Sequence, residues 1–126
     1  MALENILILS FLLVMIQLTI PMLIELLTKN TNLKYFLSSR DENTKVSAHA
    51  QRANRALKNL LETFPIFIGL AILSLIKDVD NSSIALFWLT FRIIYVPVYV
   101  LGINYIRTGI WAASLICLIL MGLKFI

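Results

Sequence analysis

Residues 5–24 run for twenty positions without a single charged side chain. A stretch of that length and apolarity matches the hydrocarbon thickness of a bilayer as a helix, and few soluble folds tolerate it. Of the whole chain, 60% is hydrophobic and 14% charged, well above the apolar share of about 45–50% in a soluble domain. A soluble fold of 126 residues would be left with large exposed apolar patches. The chain instead has room for four spans of ~20 residues.

The segment around residues 63–76 and the segment around Arg92 reach spanning length only by admitting an ionisable group. The uncharged run Thr63–Ile76 has fourteen residues, so its helix must begin near Asn59 and include Glu62. The next needs residues from Ser83 to about Ile103, with Arg92 near its middle. Ionisable groups at that depth face protein, water or ligand rather than lipid. The expected architecture is all-α, an antiparallel bundle of four transmembrane helices in one domain, over about 4–27, 52–76, 83–103 and 107–125. Lys29, Lys34, Arg40, Lys45, Arg52, Arg55 and Lys58 gather between the first two spans. That clustering makes the loop of about 29–51 cytoplasmic under the positive-inside rule and places both termini on the other side. It also accounts for the formal charge of +4 without a nucleic-acid partner. Met-Ala-Leu-Glu lacks the basic start of a signal peptide, so the first helix is expected to be retained.

One cysteine, Cys117, excludes an intramolecular disulfide, and one histidine, His49, with scattered carboxylates makes no metal site. The chemistry lies elsewhere. Arg55, Asn59 and Glu62 are spaced i, i+4, i+7, which puts them within a sector of roughly 60° on one helix face. Arg92, Tyr95 and Tyr99 are spaced i, i+3, i+7 and share a face of the third helix. Arg107 opens the fourth helix at the same membrane surface. Cations, an amide, a carboxylate and two phenols thus converge on a cytoplasm-side cleft suited to a small zwitterion: cations take carboxylates, a carboxylate takes an ammonium, and amides and phenols fix orientation. Structural alternatives stand beside this. Glu62 and Arg92 can form a buried ion pair between helices. The tyrosines can be packing or interfacial aromatics. Arg52, Lys58 and Arg107 can anchor helix ends at headgroups.

The run Arg55-Ala-(x2)-Asn59-(x2)-Glu62-(x2)-Pro65, then Arg92-(x2)-Tyr95-(x3)-Tyr99 and Arg107-Thr108, resembles the MAPEG superfamily, the membrane-associated proteins of eicosanoid and glutathione metabolism. Ser39-Arg-Asp-Glu42 resembles the inner loop of bacterial members. The resemblance implies a homotrimer in a membrane, here a bacterial inner membrane, with glutathione as co-substrate between protomers. It implies that Arg55, Asn59, Glu62, Arg92, Tyr95, Tyr99 and Thr108 contact glutathione. Arg107 would stabilise the thiolate that attacks a hydrophobic electrophile, in a glutathione transferase or peroxidase without metal. A lipid-binding or scaffold protein without catalysis is the alternative within the same fold. A small transporter or channel subunit is disfavoured, because no short, interrupted helix pair recurs in corresponding halves. Ala112, Ala113 and Ser114, with Gly69 and Ala71, allow the close helix approach that a trimer uses.

Overall fold

The computed structural model describes residues 2–28 and 48–126. It contains α1 (Leu3–Thr28), α2 (Ala48–Lys77), α3 (Ser82–Val100) and α4 (Asn104–Leu123). All four are long and apolar enough to cross a membrane. Most of the expected basic loop, with Lys29, Lys34 and Ser39–Glu42, lies outside the described residues.

Each helix turns one narrow stripe inward. In α1 it is Leu3, Ile6, Ser10, Leu13 and Gln17, alternating steps of three and four that keep one seam facing its partners. In α2 it is Ala50, Ala53, Ala56, Leu60, Phe64, Phe67, Ala71 and Ser74. The opposite faces are equally apolar: Ile8, Met15, Phe87 and Ile119 are all well exposed. In water such outward faces would be unstable; against lipid tails they are the expected surface. The central contact is aromatic. Trp88 of α3 stacks on Phe67 of α2, centroids 3.8 Å apart and planes within 7°, and Phe11 of α1 meets Phe64 of α2 edge-on at 5.8 Å.

The helix boundaries depart from expectation by a few residues, for local reasons. α2 begins at Ala48 rather than 52, so residues 48–51 of the expected loop, His49 included, are helical. Alanines at 48, 50, 53 and 56 favour the helix, and Ala50, Ala53 and Ala56 are buried. α3 stops at Val100 rather than 103, because Gly102 adopts φ +76° and reverses the chain, a conformation open to glycine at no steric cost. α4 therefore starts at Asn104, three residues before Arg107, and ends at Leu123. At the far end, the α2–α3 turn is held by side chains. Asn81 donates from Nδ2 to Ser74 Oγ at 2.8 Å and to the Met121 carbonyl at 3.3 Å. Ser82 donates through its hydroxyl (2.6 Å) and its N–H (3.2 Å) to Asp80 Oδ1. These bonds hold the Asp80 carboxyl below its ordinary range. Asp78 sits at φ 55° and ends α2 in a left-handed turn, with Val79 N–H returning to the Ser74 carbonyl at 2.9 Å.

Candidate functional site

Near the end of the bundle where α2 starts and α4 begins, α2, α3 and α4 enclose an open cavity of about 460 Å³. Arg55, Lys58, Asn59 and Glu62 line it from α2, Tyr95 and Tyr99 from α3, and Arg107, Thr108 and Trp111 from α4. The helical repeat explains why. Positions three and four apart stack on one face, so Arg55, Lys58, Asn59 and Glu62 form one continuous stripe, as do Arg107, Thr108 and Trp111.

Tyr99 is the meeting point. The Arg107 guanidinium carbon lies 4.7 Å from its ring centroid and that of Arg55 6.0 Å, both within reach of the negative ring face. Tyr95 meets Tyr99 edge-on, 5.4 Å between centroids at 68°. The aromatic pair thus holds two arginines from different helices beside one space. Three cations (Arg55, Lys58, Arg107) and one anion (Glu62) leave that space with two net positive charges.

Of the eight residues expected at the site, the cavity brings together seven. Arg92 is the exception. It is 1% exposed and lies behind the wall, where Nη1 donates to Asn59 Oδ1 at 2.9 Å and the guanidinium rests 4.6 Å from the Tyr95 ring centroid. It shares the Tyr95–Tyr99 face as its spacing requires, but the side chain turns toward α2 rather than into the cavity. The ion pair between Glu62 and Arg92 does not form; Asn59 takes the guanidinium instead. Arg52 does not serve as a headgroup anchor alone: its Nη1 donates to the Val100 carbonyl at 3.4 Å, completing an otherwise open carbonyl at the end of α3. Two further residues line the cavity beyond those expected, Lys58 and Trp111. Lys58 has the sequence position of a helix-end anchor, which masks its place on the α2 stripe. Trp111 stands four positions after Arg107, so the same i, i+4 rule that collects the α2 stripe reaches it.

A family model, that of the MAPEG family, matches residues 6–126. The chain belongs to the MAPEG family. No curated protein and no solved structure matches it. Membership in MAPEG and the four apolar helices make it an integral, multi-pass membrane protein with a four-helix bundle fold.

Proposed function

We propose that this MAPEG protein is a membrane-bound, glutathione-dependent transferase or peroxidase acting on hydrophobic electrophiles. The observation that carries the reading is the pair of guanidiniums, Arg55 and Arg107, gathered at the Tyr99 ring beside the Glu62 carboxylate. Glutathione offers two carboxylates, one ammonium and one thiol. Arg55 and Lys58 suit the carboxylates, Glu62 the ammonium, and Asn59, Tyr95, Tyr99 and Thr108 the peptide groups. Arg107 stabilises the thiolate, whose formation releases the thiol proton to water and makes sulfur nucleophilic at neutral pH. In transfer, the S–C bond forms as the leaving group departs with its electron pair. In peroxide reduction, sulfur attacks the O–O bond, alcohol leaves, and a second glutathione converts the sulfenic acid to disulfide and water. Trp111 adds an apolar wall against which an electrophile entering from lipid rests. In this reading the protein works as a homotrimer, and the basic loop and cavity face the cytoplasm of a bacterial cell.

The deciding experiment is glutathione titration of the detergent-solubilised protein, by calorimetry and thiolate ultraviolet absorbance. Saturable binding that is lost in Arg55→Ala, with absorbance lost in Arg107→Ala, supports the enzyme. No binding at millimolar glutathione by folded protein refutes it. One feature favours a second reading, a non-catalytic lipid-binding membrane protein. Between α1 and α3 an apolar groove of about 410 Å³ runs past Leu9, Leu13, Ile16, Ile93 and Val96. Its polar lining residue is Gln17, whose Oε1 has no hydrogen-bond partner among the described residues. That reading predicts co-purified lipid and no thiolate signal.

A further inference from the structure

Arg92 carries a full charge at the middle of α3 and is 1% exposed. Nη1 donates to Asn59 Oδ1 at 2.9 Å, while Nε and Nη2 have no hydrogen-bond partner among the described residues. Burying a guanidinium in the membrane interior with donors unmet is unfavourable, and an apolar side chain of similar volume there would serve stability better. A role other than stability is therefore needed to account for it.

The role follows from the chemistry of the one bond it makes. A guanidinium donates and cannot accept. The Asn59 side-chain amide must therefore turn its oxygen toward Arg92, and its NH2 is the group left for the cavity that Asn59 lines. Without Arg92 the amide is free to flip and present oxygen instead.

We propose that Arg92 is a positioning residue that locks Asn59 as a hydrogen-bond donor to the cavity, so that this wall of the site recognises a carbonyl or carboxylate oxygen of the bound tripeptide. The inference rests on the glutathione reading and deepens it. Arg92 touches no ligand. It acts through Asn59, and the Tyr95 ring at 4.6 Å holds its guanidinium in place. The site thereby gains selectivity as well as affinity, since a flipped amide would set oxygen against oxygen.

Glutathione affinity and thermal unfolding of the detergent-solubilised protein, in Arg92→Met, Arg92→Lys, Asn59→Ala, Asn59→Asp and the Asn59→Ala/Arg92→Met double variant, test this. Arg92→Met should weaken glutathione binding about tenfold, raising KM with little change in kcat, without lowering the unfolding temperature. Arg92→Lys, which keeps a donor, should recover most of the affinity. The double variant should bind no worse than Asn59→Ala, because both changes remove the same contact. Asn59→Asp retains an acceptor for Arg92 but no donor for the ligand, so it should fold and bind as poorly as Asn59→Ala. It keeps the test decisive should Arg92→Met fail to fold. Wild-type affinity in Arg92→Met or in Asn59→Asp would overturn the inference alone, as would additive losses in the double variant. Absence of binding by the wild type would overturn the glutathione reading and this inference with it.

Discussion

The Arg107 guanidinium carbon stands 4.7 Å from the centroid of the Tyr99 ring. Arg107 belongs to α4 and Tyr99 to α3, with only the turn at Leu101–Ile103 between their helices. The ring orients the arginine through its face, and the hydroxyl plays no part in that contact. Tyr99→Phe should therefore keep most thiolate formation, whereas Tyr99→Ala should release Arg107 and Arg55 together and weaken both thiolate absorbance and glutathione affinity. Arg107→Ala should reduce turnover about 10²–10³-fold, the scale of losing one electrostatic stabiliser of developing charge. Initial rates with an aryl halide, measured beside absorbance for all three variants, check the expectation. Equal rates in Tyr99→Phe and Tyr99→Ala would remove the ring from the argument.

Trp88 and Phe67 form the most closely stacked aromatic pair between α2 and α3, and both are fully buried. Truncating either opens a cavity where three helices meet. Trp88→Ala or Phe67→Ala should cost about 3–5 kcal/mol. Ile119→Ala removes a side chain that is 61% exposed on the outer face of α4. Lipid tails refill that space, so its effect on thermal unfolding should be small. A comparable loss from Ile119→Ala would mean that this face is covered by protein.

Helix periodicity alone makes most of the cavity legible in the sequence. Arg55, Asn59 and Glu62 recur on one face by geometry, and so do Tyr95 and Tyr99. That logic stops at the side chain. Arg92 shares the tyrosine face by spacing, yet whether it enters the cavity or turns behind it depends on the neighbouring helix, and Asn59 supplies a partner on the far side. The helix ends are less legible for a related reason. The halt of α3 at Val100 depends on Gly102 and on Arg52, a residue 48 positions from the carbonyl it meets. No local pattern connects those two. Lys58 and Trp111 are within reach of the spacing rule, but a lysine near a helix end also has an ordinary interfacial explanation, which hides the role of Lys58 in the wall.

Asp80 gives a pH dependence at the opposite end of the bundle. Hydrogen bonds from Ser82, first the hydroxyl and then the N–H, lower its pKa from the ordinary 3.8. A carboxylate depressed in the folded state stabilises it above the unfolded value, and that contribution fades as pH falls through the folded value. Asp80→Ala should therefore lower the unfolding temperature slightly near neutral pH, and the gap from wild type should close below pH 3.8. Thermal scans of both proteins across an acid series decide it. A gap that widens on acidification would contradict the assigned hydrogen bonds.

Gly102 is the position where the smallest substitution should have an effect disproportionate to its size. Its φ of +76° disfavours any L side chain, at a cost of about 1–2 kcal/mol. Space is also lacking: a Cβ there would come within 2.9 Å of the Arg52 guanidinium carbon and 3.0 Å of Nη1. Arg52 would have to withdraw, giving up its bond to the Val100 carbonyl. The α3–α4 turn sets the spacing between Tyr99 and Arg107, so the disturbance should reach the site. Gly102→Ala should lower the unfolding temperature and also weaken thiolate formation, although residue 102 is not among those lining the cavity. Arg52→Ala, which leaves φ untouched and empties the space, should cost less, and Gly102→Ala in that background should recover the steric part alone. Measuring stability and thiolate absorbance in the single and double variants separates the two contributions. If Gly102→Ala costs as much in the Arg52→Ala background as in the wild type, backbone strain accounts for the whole loss, and contact with Arg52 for none of it.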